Sequence, residues 1–127
     1  MKPTRWQQRF ENFERAFILL RSAFEEKKPA EFSELEKEGL VRRFEYTFEL
    51  AWKTLKDYLE HTGISFDQIT PRHVIKAAFA AKIIEDGQAW IDMLDHRNVM
   101  SHTYNEVSFK KAVVAIAGHY LAALEQV

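Results

Sequence analysis

Residues 43–59 read RFEYTFELAWKTLKDYL, and this stretch decides the fold. Its apolar positions recur at steps of three and four, the period of an amphipathic helix: Phe44, Phe48, Ala51, Leu55 and Leu59. Trp52 and Tyr58 lie off this stripe, so the helix is apolar on more than one side. A helix buried on two sides suits the centre of a helical bundle or a dimer interface.

The flanks of this stretch carry helix-boundary signals. Ser33, with Glu36 three residues later, matches a capping box and predicts a helix start near residue 33. Gly39 is a candidate soft point or break, and we expect the main body of the helix over residues 40–62. Gly63 fits the position just after a helix end, where a left-handed backbone conformation favours glycine.

Similar patterns predict helices before and after this central one. An apolar stripe predicts a first helix over residues 5–26, and the segment 27–30 (KKPA) interrupts it because proline disfavours helix in the residue before it. Thr70 and Pro71 fit the N-cap and the first residue of a third helix. We therefore expect few, long elements joined by short connections.

The C-terminal part of the chain predicts two more helices. One covers residues 88–101, and the other covers 108–125 with Ser108 as its cap. The last helix has its own apolar stripe: Phe109, Val113, Ile116, Tyr120 and Leu124. The whole pattern predicts an all-α, antiparallel up-and-down bundle of four to five helices. We expect it to form a single domain over residues 1–127.

Composition narrows the class of protein. The chain has 127 residues, of which 46% are hydrophobic and 29% charged, as in a globular domain. It contains no cysteine, which excludes disulfides and thiolate catalysis and fits a cytoplasmic protein. The net charge of −1 gives no general attraction for nucleic acid, so any RNA contact would depend on local basic groups. No signal peptide or apolar run of about 18 residues is visible, so we expect no membrane span.

The most chemically suggestive stretch is residues 95–105, DHRNVMSHTYN. On a continuous helix, the spacing of Arg97 and His102 would separate their side chains by about 140°. If the helix ends at Ser101 or His102, the imidazole can fold back towards the guanidinium. The spacing therefore suits a helix C-terminus, which is where the apolar pattern places it.

These residues carry a resemblance to a known family. Arg97, Asn98 and His102 resemble the R-x4-H signature of HEPN-domain proteins. Tyr104 extends it to R-x4-H-x-Y, the form found in the HepT-like branch, whose members are also called nucleotidyltransferase substrate-binding proteins. Residues 43–59 look like the long second helix of the same branch. With two separated blocks in the right order, the resemblance covers nearly the whole chain.

The resemblance implies a ribonuclease site. In the family, the motif is the active site of metal-independent endoribonucleases, usually assembled across a two-fold dimer, and it implies catalytic roles for Arg97, Asn98 and His102. The residue types fit that chemistry. Histidine exchanges protons near neutral pH, and the planar guanidinium of arginine binds two phosphate oxygens at once. The Asn98 amide would orient the imidazole or the phosphate.

The resemblance also implies regulation by a partner. In the HepT-like branch, the tyrosine matching Tyr104 accepts AMP from a cognate minimal nucleotidyltransferase, the antitoxin of a toxin–antitoxin pair. Such an adduct places a bulky anionic group two residues from His102, where it blocks the cleft and repels RNA phosphate. The implied assembly is a homodimer acting on RNA, with tRNA as a candidate substrate and with no metal or cofactor.

Other interpretations of the same residues stay open. The Arg97 side chain would equally pair with Asp92, Asp95 or a neighbouring helix, and a histidine in a last turn often binds free carbonyl groups. Tyr104 would equally be a loop residue anchored by packing. The alternative function is a non-catalytic subunit that presents substrate or nucleotide to a nucleotidyltransferase.

The remaining charged residues predict ordinary surface contacts. Asp92 and His96 are four apart, but salt bridging explains this spacing better than a metal site does. Pairs at helical spacing in the central helix indicate a solvated face: Glu45, Glu49, Lys53 and Lys56. The chain has no glycine-rich phosphate loop, so AMP transfer would need another protein as its catalyst.

Overall fold

A computed structural model describes residues 5–100 and 106–125 and, except for residues 100 and 106–108, their side chains. Every regular element in these ranges is helical, which confirms the all-α bundle. The helices are α1 Arg5–Glu26, α2 Glu34–His61, α3 Pro71–Ala80, α4 Gly87–Met100, α5 Glu106–Ala115 and α6 Leu121–Glu125. A 3₁₀ turn Pro29–Glu31 precedes α2, and a π-helical turn Ile116–Tyr120 joins α5 to α6.

Helix α2 is the centre of the bundle, because α1, α3, α4 and α5 all pack against it. Its predicted stripe is buried, and Phe48 and Leu59 are completely inaccessible to solvent. Trp52, which lies off the stripe, is also buried, at 8% exposure. The helix is therefore covered on more than one side, as its sequence predicts.

Polar contacts fix the relative direction of α1 and α2. Near one end of the pair, Arg9 of α1 forms an ion pair of 3.0 Å with the buried carboxylate of Asp57 of α2. Towards the other end, Arg43 Nη1 donates to the carbonyl oxygen of Leu19 at 3.2 Å. The start of α1 thus lies beside the end of α2, so the two helices are antiparallel.

The predicted helix caps of α2 are present. The Glu36 amide donates to Ser33 Oγ at 3.1 Å, and the Ser33 amide donates to Glu36 Oε1 at 2.9 Å, so the capping box is complete. These contacts, and an ion pair with Lys27, hold the pKa of Glu36 below its ordinary value. Gly63 follows the C-terminus of α2 with a φ of +103°, the conformation that favours glycine.

One candidate break is absent, and one predicted helix start is wrong. Helix α2 runs through Gly39 without a break, because the capping box at Ser33 starts the helix before the glycine and the buried Leu40 and Val41 anchor it directly after the glycine. The final helix begins at Glu106, so Ser108 lies inside it rather than at its cap. A serine preference for helix starts is a weak local signal that packing of the rest of the helix overrides.

The final helical segments match their predicted stripe, which is buried throughout: Phe109, Val113, Ile116, Tyr120 and Leu124. Tyr120 closes the π-helical turn, and its ring stacks on Phe44 of α2 with centroids 5.5 Å apart. Among the helices in the described ranges, none has the length and apolar character needed to cross a membrane.

Candidate active site between α2 and α4

The core packing of α4 places Arg97 against α2. Trp90 and Met93 are fully buried, and Arg97 follows them by seven and four residues, so it lies on the same face of the helix. Because that face packs on the bundle, the Arg97 side chain points towards α2 rather than into open solvent. Arg97 also lies in the last turn of α4, where positive charge is favourable.

The Arg97 guanidinium is held by two partners. Its Nη2 forms an ion pair with Glu49 Oε1 of α2, and its Nη1 donates to Asn98 Oδ1 at 2.9 Å. The side chains of Arg97 and Glu49 are 27% and 29% exposed, so the pair is partly shielded from water. Within the described part of the chain, these contacts engage two of the five N–H donors that a guanidinium carries.

Glu49 is itself fixed through its second oxygen. Trp52 Nε1 donates to Glu49 Oε2 at 3.1 Å, and Lys53 Nζ lies 3.4 Å from the same oxygen. Because the Trp52 ring is buried, this hydrogen bond ties the carboxylate to the core of the bundle. A continuous chain of contacts therefore runs from the core through Glu49 to Arg97.

Arg97 forms one wall of an open groove of about 300 Å³. Among the described residues, the others that line it come from one face of α2: Arg42, Glu45, Tyr46 and Glu49. Partial burial raises the pKa of Glu45, while the positive charges of Arg42 and Arg97 act in the opposite direction. The groove thus brings together two guanidiniums, two carboxyl groups and one phenol ring.

Residues beside Arg97 on α4 tie this helix to its neighbours. Asp95 accepts a hydrogen bond of 3.2 Å from Arg72 of α3. His96 Nδ1 lies 2.5 Å from the Tyr120 hydroxyl. Burial, with nearby aspartates, raises the pKa of Tyr120 to about 12, so the phenol is neutral and shares this hydrogen bond with the imidazole. The end of α4 is therefore anchored on three sides.

The structure brings together two of the predicted site residues, Arg97 and Asn98. His102 and Tyr104 lie outside the described residues. Among the sequence alternatives for Arg97, the contact with a neighbouring helix is present, since its partner is Glu49 of α2 rather than an aspartate of α4.

The sequence interpretation missed the α2 wall of the groove. Glu49 does pair with Lys53 as expected, but it is turned towards Arg97, so this part of α2 is not simply a solvated face. The available signal was Trp52, an aromatic residue off the apolar stripe and one helical turn from Glu49. An indole N–H buried at that position needs an acceptor, and Glu49 provides it.

The sequence of this chain also matches a known protein family. The sequence profile of the family described as "Nucleotidyltransferase substrate binding protein like" matches residues 8–127. The chain belongs to this family. The resemblance seen in residues 43–59 and in the motif that starts at Arg97 is thereby confirmed.

Two relatives of this chain are informative. The "Probable ribonuclease HepT" of Haemophilus influenzae is 31% identical over 71 residues, a match that covers 54% of this chain and 49% of that protein. The match therefore spans about half of the curated relative. A protein from Thermus thermophilus, known from its crystal structure, is 32% identical with a TM-score of 0.76, covering 90% of this chain and 93% of that one.

Proposed function

We propose that this chain is a metal-independent endoribonuclease. The observation that carries the proposal is the Arg97 guanidinium, held by Glu49 and Asn98 at the edge of an open groove. Its planar fork suits the non-bridging oxygens of a phosphodiester. The R-x4-H-x-Y motif and the name of the Haemophilus relative support the same activity.

The proposed reaction needs no group beyond the chain and the RNA. The ribose O2′ attacks the adjacent phosphorus as it loses its proton, the P–O5′ bond breaks, and O5′ gains a proton. The products are a 2′,3′-cyclic phosphate and a free 5′-hydroxyl. His102 exchanges these protons, and Arg97 stabilises the charge that builds on the phosphorane oxygens. Asn98, hydrogen-bonded to Arg97, orients the guanidinium.

We further propose that the active unit is a homodimer regulated by a nucleotidyltransferase. The Tyr104 hydroxyl attacks the α-phosphorus of ATP on the partner, the bond to the β-phosphate bridge breaks, pyrophosphate leaves, and the phenol proton passes to solvent. The AMP adduct adds negative charge two residues along the chain from His102 and so opposes RNA binding. The family description and the tyrosine of the motif support this part of the proposal.

The test is cleavage of total tRNA and of a messenger RNA by the purified protein, with EDTA present throughout. Arg97→Ala and His102→Ala are run beside the wild type. Arg72→Ala is the matched control, because it removes an exposed arginine that pairs with Asp95 on the outer side of α4. We expect cutting by the wild type and by the control, and none by the two site variants.

Two outcomes would overturn this proposal. Cutting that survives both site substitutions would place the activity elsewhere or in a contaminant. Absence of cutting by a protein whose intact mass shows no AMP would favour the second candidate, a non-catalytic subunit that presents substrate to a nucleotidyltransferase. One observation favours that candidate: Arg97 is already neutralised by a carboxylate of its own chain.

A separate experiment tests the role of Tyr104. The protein is incubated with the partner nucleotidyltransferase and ATP, and we expect a mass gain of one AMP that Tyr104→Phe abolishes.

A further inference from the structure

The groove between α2 and α4 contains more side chains than the binding of one phosphate group requires. Its α2 wall presents four side chains at helical spacing, so they form one continuous surface: Arg42, Glu45, Tyr46 and Glu49. The volume of about 300 Å³ is at the lower limit of ordinary ligand pockets, which run from roughly 300 to 1,000 Å³. A space of this size suits one nucleotide unit rather than a longer segment.

Tyr46 gives this groove an aromatic surface. The residue is 42% exposed, and Glu49 lies about one helical turn after it on α2. Arg42, one turn earlier, is also exposed. An exposed ring beside a cation is the combination with which proteins bind unpaired bases, because every base can stack on a π-face while the cation contacts the backbone.

The two carboxyl groups of the groove differ in what they contact. Glu49 uses one oxygen for Arg97 and the other for Trp52 and Lys53. Across the described ranges, by contrast, no hydrogen bond or close ion pair engages the Glu45 side chain, although the residue is only partly exposed. An ionised carboxylate accepts hydrogen bonds and donates none, so Glu45 suits a ligand edge that carries N–H groups.

We propose that this groove binds an unpaired guanine base of the RNA nucleotide next to the phosphate held by Arg97. The base stacks on Tyr46, and its N1–H and 2-amino groups donate to the two oxygens of Glu45. Arg42 contacts the flanking phosphate. This inference rests on the proposed ribonuclease function and names a sequence preference for the same site.

The chemistry of the other bases explains why guanine is favoured. Adenine and cytosine present an amino group beside a ring nitrogen that accepts hydrogen bonds, so each offers Glu45 one donor and one repelled lone pair. Uracil presents a single N–H between two carbonyl oxygens. Only guanine offers two adjacent donors to the carboxylate. A bidentate contact of this kind discriminates by roughly tenfold to a hundredfold in affinity.

The experiment measures binding separately from cleavage. Short oligouridine probes with 2′-fluoro sugars lack the attacking hydroxyl, and each carries one central guanosine, adenosine, cytidine or uridine. Fluorescence anisotropy gives their affinities for the full-length protein. We expect the guanosine probe to bind at least about tenfold more tightly than the uridine probe. Glu45→Gln should remove this preference, and Tyr46→Ala should weaken all four probes while Tyr46→Phe does not.

Phe79→Ala is the control, since it removes another exposed aromatic ring, on α3 and outside the groove. Equal binding of the four probes, or a guanosine preference that survives Glu45→Gln, would overturn the inference. A change in light-scattering mass for Tyr46→Ala would also overturn it, because Tyr46 would then be an interface residue. RNA cleavage without base preference would refute only the base site. Guanosine-selective binding without cleavage would refute only the enzymatic proposal.

Discussion

The substitution Glu49→Gln tests whether the α2 wall positions Arg97. Gln has the shape of Glu but only one acceptor oxygen, so it loses the charge and cannot accept from both Trp52 and Arg97. A hydrogen bond to a charged group contributes about 1.5–3 kcal/mol and a neutral one about 0.5–1.5 kcal/mol. Since Arg97 and Glu49 are each under a third exposed, we expect a loss of about 1–2 kcal/mol in the free energy of unfolding at neutral pH.

Under the proposed ribonuclease function, the same change also has a distinct effect on the kinetics. A guanidinium that loses its anchor stabilises the transition state less well, and a loss of about 1.4 kcal/mol lowers kcat roughly tenfold. KM should not rise, because removal of a carboxylate near the bound phosphate reduces repulsion. Urea denaturation and steady-state cleavage of one RNA measure the two effects on the same protein preparation.

The control variant is Lys53→Met, which removes the more exposed ion pair of Glu49 and leaves its contacts with Trp52 and Arg97. It should cost less than about 1 kcal/mol in stability and leave kcat unchanged. Two results would refute the positioning argument. A higher KM at unchanged kcat would make Glu49 a binding residue, and a higher kcat would show that it restrains Arg97 instead.

Three further predictions concern stability. The raised pKa of Tyr120 means that the folded state favours the neutral phenol. The resulting stabilisation is full below the ordinary pKa of 10.0 and is lost as the pH rises towards 12. Urea denaturation across this range should show a falling free energy of unfolding, and Tyr120→Phe should flatten this decline. Phe48→Ala removes a fully buried ring and should cost about 3–5 kcal/mol in chemical denaturation, and a cost under about 1 kcal/mol would contradict the central position of α2. Ser33→Ala removes the α2 cap and should cost about 1 kcal/mol, whereas Ser33→Asp should retain most of the stability.

Local signals predicted the parts of the fold that local chemistry determines. The capping box at Ser33 and the glycine at position 63 depend on neighbours within a few residues, and both are present. Gly39 was misjudged because a single glycine costs only about 1 kcal/mol in a helix, which burial of the adjoining turn outweighs. The π-helical turn ending at Tyr120 has no sequence signal of comparable strength, since it depends on the fit of that ring against Phe44.

The site was predictable only in part, because some of its contacts join residues that are far apart in the sequence. Arg97 and Asn98 are adjacent, so a motif finds both and their mutual hydrogen bond needs no fold. The partnership with Glu49 joins residues on two helices whose relative placement follows from the packing of Trp90 of α4 against Phe48 of α2. Charge pattern alone could not choose between Glu49 and the aspartates of α4, because all are carboxylates within plausible reach.

The pairing of charges has a consequence for selectivity under the proposed function. Arg97 is paired with Glu49, Arg72 with Asp95 and Arg9 with Asp57, so much of the positive charge is already compensated within the chain. Nonspecific attraction to RNA depends on unpaired cationic side chains, which displace counterions from the RNA phosphates. A chain with a net charge of −1 offers little attraction of this kind. A substrate must therefore gain its affinity from contacts that replace or share these ion pairs. This requirement favours an unpaired nucleotide that fits the groove over any polyanion of the same charge.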